Sequence, residues 1–179
     1  MSIQMIRDQL PGYAKDIKLN LGNLLGGEGA DGLELNQVYG VALASAFATQ
    51  QADLIEAIAS EAADKLSNEE INAAKAAATV MGMNNIYYRF IHMSSDKEFS
   101  KMPAGLRMNV IGNPGIEKVD FELYALAVSA INGCGMCIDA HVHEVLKGGI
   151  TRQGVQLSIR IASVLNATAQ ALVIQSVAS

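Results

Sequence analysis

Apolar residues recur along this chain at three- and four-residue intervals, and no segment alternates apolar with polar as a half-buried strand would. That pattern confines the chain to helices packed on helices. Its clearest instance opens at Ser67-Asn68-Glu69-Glu70, a capping-box signature in which Ser67 caps and Glu70 reaches back. A long alanine-rich helix is expected from there toward His92, bent near Gly82. Half of the chain is hydrophobic (50%), yet aromatics make up only 5% and tryptophan is absent. Much of the core must therefore be alanine, which has the strongest helix propensity and lets helix axes approach closely.

The same reasoning places the other elements. A short helix over 2–10 stops before Pro11-Gly12, and a second runs over 13–25. Gly26-Gly27-Glu28-Gly29-Ala30-Asp31-Gly32 reads as a loop by composition. Helices follow over 34–49, with Val38, Val41, Ala42 and Ser45 on one face, and over 52–66, with Leu54, Ile55, Ile58 and Ala62. Residues 94–105 are irregular, and a short helix over 106–112 closes at Asn113-Pro114-Gly115. Asp120 is expected to cap a helix over 121–131, which Asn132-Gly133 breaks. The next helix, about 133–147, stops at Gly148-Gly149, a left-handed cap. A last helical stretch runs from Thr151 to about Val177 with a break near Asn166. The expectation is a single all-α domain over 1–179. Asn85, Tyr88 and His92 repeat the spacing of Cys134, Cys137 and His141 at a 49-residue offset. Two pseudo-repeated helical halves would explain that echo, and so would chance.

Charge and hydropathy narrow the function classes. Net charge is −5 without a lysine or arginine stripe, so the chain lacks the electrostatic footprint of nucleic-acid binding. No stretch reads as approaching the roughly 18 apolar residues of a membrane span. Met1-Ser2-Ile3-Gln4-Met5-Ile6-Arg7-Asp8 lacks the charged start and apolar run of a secretory signal, so a cytoplasmic location is expected. Charged residues reach only 17%, and a partner subunit covering apolar surface is a soft expectation from that.

Chemistry concentrates at Cys134-Gly135-Met136-Cys137, which holds both cysteines of the chain. Two thiols are too few for the framework of a secreted scaffold, and a CxxC in the cytosol points to redox or metal chemistry. The Asn132-Gly133 break puts both at the first turn of a helix, where free N–H groups and the helix dipole stabilise a thiolate. Residues three apart share a face, so the sulfurs can bond without unfolding the helix. His141 lies four residues past Cys137 on that face, placed to take a thiol proton and return it. If the break folds the two helices into a hairpin, Glu122 comes alongside His141 and orients the imidazole. The candidate site is thus Glu122, Cys134, Cys137 and His141. Zinc is the rival occupant: Cys134, Cys137 and His141 offer three ligands and Glu122 or His143 a fourth. Structural zinc ties separated segments together, whereas these ligands sit nearly all on one helix, which weighs against it. His143 reads as a surface residue, His92 as structural, and Met81, Met83, Met93, Met102 and Met108 as core filling.

Glu122, then Cys134-Gly135-Met136-Cys137, then Ala140-His141-Val142-His143, resembles the alkyl hydroperoxide reductase D (AhpD) family of the carboxymuconolactone decarboxylase-like superfamily. Leu10-Pro11-Gly12-Tyr13, Met81-Gly82-Met83-Asn84-Asn85, Gly105-Leu106-Arg107-Met108-Asn109 and Asn113-Pro114-Gly115-Ile116 extend the likeness over nearly the whole chain. The resemblance implies an all-helical protomer assembled as a homotrimer. It implies a thiol-dependent peroxidase that also reduces an AhpC-type peroxiredoxin. No cofactor would be tightly bound; electrons would come from the dihydrolipoyl group of a lipoylated 2-oxoacid dehydrogenase acyltransferase. It assigns peroxide attack to Cys137, resolution to Cys134, and proton relay to Glu122 and His141. Met136 departs from the pattern, since the family often has histidine there. Either that histidine is dispensable, or disulfide exchange with a partner outweighs direct peroxidase activity. Two other readings stay open: an electron carrier that barely touches peroxide, and a lactone decarboxylase, whose chemistry has no need of a CxxC.

Overall fold

The structure, a computed structural model, describes residues 1–25 and 32–178. Among the described residues there are helices and no strands. In chain order the α-helices are α1 (Ile3–Gln9), α2 (Lys15–Leu24), α3 (Leu35–Thr49), α4 (Ala52–Ala62), α5 (Asn68–Met93), α6 (Asn109–Gly112), α7 (Lys118–Ile131), α8 (Gly135–Lys147) and α9 (Arg152–Ala178). Short 3-10 turns cover Gly12–Ala14 and Lys97–Lys101. The all-α expectation is met. The glycine-rich loop falls at 26–31, outside the described residues.

Two helices form the centre because they are buried on nearly every side, with mostly apolar residues. On α3, Val38 to Ala46 are buried, and on α7, Asp120 to Ser129 are buried. A helix apolar all round must be enclosed by others. Around this pair stand α5 and α9, which touch both, with α8 against α7 and α4 against α3. Small residues set the approach. A Cβ at Gly40 of α3 would run into the phenol of Tyr124 on α7, so only glycine lets these axes close.

Capping chemistry fixes the ends. Ser67 accepts the Glu70 N–H, and the Glu70 carboxylate accepts the Ser67 N–H, as the sequence predicts. Helix α5 is continuous through Gly82, where a side chain would meet open space. Four expectations need correction. Helix α9 runs unbroken through the exposed Asn166. As one element, Arg152–Val177 is long and apolar enough to cross a membrane by length and composition, with an 18-residue window of mean hydropathy 1.5, although no sequence stretch had suggested it. Of that window 56% is buried inside the fold, and Ile161, Leu165 and Leu172 sit in the core, which accounts for its apolar character. Asp120 does not cap α7, which begins earlier at Lys118. It is buried in the first turn and accepts a 2.7 Å hydrogen bond from Gln37 Nε2 on α3. The short helix before Asn113 spans only Asn109–Gly112.

Candidate active site

Helix α7 ends in a Schellman motif. Gly133 takes the left-handed conformation (φ 69°), its N–H bonds the Ala130 carbonyl at 3.2 Å, and the Cys134 N–H bonds the Ser129 carbonyl at 3.1 Å. The chain then re-enters a helix at once. Cys134 is the N-cap of α8: its carbonyl accepts the first helical bond from Ile138 at 2.9 Å, and its sulfur accepts the Cys137 N–H at 3.3 Å. One residue thus closes the turn behind it and caps the helix ahead. A second Schellman motif ends α8, with Gly149 at φ 95° and the Ile150 N–H on the Val145 carbonyl at 3.0 Å. The predicted left-handed stop is Gly149.

The two sulfurs are joined. Cys134 and Cys137 form a disulfide with Cα atoms 5.3 Å apart. Their surroundings differ: Cys134 is 0% exposed, Cys137 7%, and the intervening Met136 36%. Solvent therefore approaches the pair from the Cys137 side. Both lie at the first turn of α8, where free N–H groups favour sulfur carrying negative charge.

One turn beyond Cys137, His141 is buried, and its Nδ1 lies 2.6 Å from Oε2 of the buried Glu122. A carboxylate only accepts, so the imidazole donates from Nδ1. The hairpin imagined from the sequence is real, and α7 and α8 pack along their lengths. Glu122 also lines a surface cavity of about 280 Å³ together with Lys118, Val119, Glu144, Lys147 and Gly148. Among the described residues, no three His, Cys, Asp or Glu side chains gather as a metal site.

Sequence reasoning missed the wall opposite. The thioether of Met81 on α5 lies 3.4 Å from His141 Nε2. Asn85, one turn on, donates to Ser129 Oγ at 2.9 Å and accepts from Asn132 Nδ2 at 3.0 Å. An adjacent pair of asparagines inside an alanine-rich helix was the available signal. The other methionines divide: Met83 and Met108 pack on the core, while Met93 (75%) and Met102 (61%) are exposed, against expectation. His92 and His143 are both exposed. Asn85 and His92 lie inside α5, whereas Cys134 and His141 stand at and beyond a helix start.

Residues 97–178 match the carboxymuconolactone decarboxylase family. The chain is 53% identical over 174 residues to the alkyl hydroperoxide reductase AhpD of Coxiella burnetii (strain RSA 493 / Nine Mile phase I), covering 97% of this chain and 98% of that protein. It is 55% identical over 172 residues to the protein of that name from Hyphomonas neptunium, covering 96% and 94%. The corresponding protein of Maricaulis maris is 51% identical over 176 residues, covering 98% and 100%.

Proposed function

The chain belongs to the AhpD family, and from that premise we propose that it is a thiol-dependent alkyl hydroperoxide reductase working through Cys134 and Cys137. The observation that carries the reading is the joined cysteine pair at the start of α8 with a buried His141–Glu122 pair one turn away. The relatives bear the name alkyl hydroperoxide reductase, which supports the substrate class.

In the proposed cycle the Cys137 thiolate attacks the distal peroxide oxygen. The O–O bond breaks, the alkoxide leaves with a proton as alcohol, and Cys137 becomes a sulfenic acid. His141 Nε2 removes the thiol proton beforehand, and Glu122 stabilises the imidazolium. Cys134 then attacks the sulfenic sulfur, releasing water and closing the disulfide. A dihydrolipoyl dithiol on a lipoylated acyltransferase reopens it by two thiol–disulfide exchanges, leaving an oxidised lipoyl ring and two protein thiols. The greater exposure of Cys137 supports giving it both first contacts, with peroxide and with donor thiol. His141 returns the thiol proton to the leaving alkoxide, and the Cys134 proton departs with the water, so the cycle releases no net proton. This cycle needs a reducing compartment, which fits a cytoplasmic location. Exposed Ile86, Phe90, Met93 and Val177 suit a homotrimer that covers part of this surface.

A second reading has its own observation. Met136, beside Cys137 and partly exposed, holds no proton where the family often has histidine. On that reading the dithiol chiefly passes electrons to an AhpC-type peroxiredoxin. The test is steady-state turnover of an alkyl hydroperoxide by the wild type, Cys137→Ser and Cys134→Ser with a dihydrolipoyl donor. Loss in both variants supports the peroxidase. Wild-type turnover that appears only when an oxidised peroxiredoxin is added supports the carrier. Undiminished turnover in both variants would end either proposal.

A further inference from the structure

Met81, Asn85 and Arg89 recur at four-residue spacing along α5, and all three meet the site. Met81 Sδ faces His141 Nε2 at 3.4 Å and lies 3.8 Å from Asn85 Nδ2. Asn85, only 1% exposed, bridges Ser129 Oγ (2.9 Å) and the Asn132 side chain (3.0 Å). Arg89 Nη1 donates to the Asn132 carbonyl at 2.6 Å. Ser129 opens the α7 Schellman turn and Asn132 precedes its left-handed Gly133, and the Ser129 carbonyl receives the Cys134 N–H. A buried amide is costly unless bonded, and both polar ends of Asn85 are bonded to the turn that carries Cys134.

When the disulfide is closed, its own covalent bond restrains that turn. Once it is reduced, Cys134 is restrained by its backbone bond to Ser129 and by whatever holds the turn from outside. We propose that Asn85 is a positioning residue for the cysteine pair: by bridging Ser129 and Asn132 it keeps Cys134 within bonding reach of Cys137 in the dithiol. Such a restraint raises the effective concentration of one thiol at the other, because less freedom is lost on closure. The inference rests on the thiol–disulfide cycle proposed above, but not on peroxide being the oxidant. The equilibrium concerned is protein disulfide plus two glutathione thiols against protein dithiol plus glutathione disulfide. One S–S bond breaks, one forms, and two electrons and two protons pass to the protein.

The test is a redox titration of the full-length protein in glutathione buffers, with the dithiol fraction read by alkylation and mass. Asn85→Ala is expected to lower the effective molarity of the pair about tenfold, which is about 30 mV toward easier reduction. Ser129→Ala, which removes one bridge and leaves the asparagine in place, is expected to lower it about threefold. Ile58→Val on α4, away from the turn, is expected to match wild type while losing comparable thermal stability to Ser129→Ala. An effective molarity within twofold of wild type in Ser129→Ala, or an equal fall in Ile58→Val, overturns the proposal. The latter pair of variants decides the matter even if Asn85→Ala does not fold. A wild-type dithiol inert to hydroperoxide, with the glutathione equilibrium still shifted in the variants, would remove the peroxidase reading and leave this one standing.

Discussion

Glu122, His141 and Asp120, all buried, each have a partner that defines their chemistry. Glu122 and His141 meet at 2.6 Å within the fold, so the imidazole is fixed in one orientation with Nε2 turned toward the Met81 thioether. His141→Ala should reduce peroxide turnover by about 100-fold or more, the usual worth of a general base. Glu122→Gln keeps a hydrogen-bond acceptor but removes the charge opposite the imidazolium, so a smaller loss of about tenfold is expected. Both are read as kcat with the dihydrolipoyl donor in excess. Asp120 behaves differently. Burial pushes its carboxyl up, the bond from Gln37 pulls partly back, and Glu70 and Glu117 add to the rise. The folded protein therefore holds this proton longer than the unfolded chain, and stability falls as pH climbs from the ordinary value near about 4 through the raised one. Asp120→Asn should flatten that stretch of a plot of denaturation midpoint against pH while keeping the Gln37 bond. The four predicted site residues were legible because three share one helix and the fourth lies 19 residues from His141 across a turn with plain chemistry. Met81 and Asn85 were not, since their partners lie 60 and 44 residues away. A thioether at a helical core position looks the same in sequence whether it packs on leucine or on an imidazole.

At the level of elements, the α7–α8 junction carries the account. Gly133 must be left-handed, and a Cβ there would meet nothing within 4 Å, so substitution costs backbone strain alone. Gly133→Ala should lower stability by about 1–2 kcal/mol in chemical denaturation. It should also make the disulfide easier to reduce, because the turn sets where Cys134 begins α8. Asn132-Gly133 announced this junction plainly, since such a dipeptide between two apolar periodic stretches has few other uses. The same logic overreached at Asn166. Asn166 faces solvent and leaves the apolar face of α9 intact. Asp120 misled for a related reason. An aspartate ahead of an apolar run suits an N-cap or a buried acceptor equally, and its partner Gln37 stands 83 residues away.

Over the whole molecule, α3 and α7 act as a shared spine, with the site built where α5 and α8 lean on it. Gly40 sets how closely the two spine helices approach. Gly40→Ala forces the buried Tyr124 phenol aside and should cost about 1–3 kcal/mol or more, as overpacked cores do, read as a drop in denaturation midpoint. If α7 shifts with it, the Glu122–His141 contact loosens and turnover falls together with stability. The helical class was legible from periodicity throughout, but the choice of spine was not, because alanine-rich faces resemble one another and give no hint of which pairs meet. The central claim is that the cysteines at the head of α8 open and close in response to hydroperoxide, with Cys137 oxidised first. Mass spectrometry of the reduced protein after one equivalent of alkyl hydroperoxide, with and without dimedone, tests it most directly. The account predicts a dimedone adduct on Cys137 when the trap is present, and a Cys134–Cys137 disulfide with loss of two hydrogens when it is absent. Persistence of both free thiols in each sample, or an adduct on Cys134 alone, would contradict it.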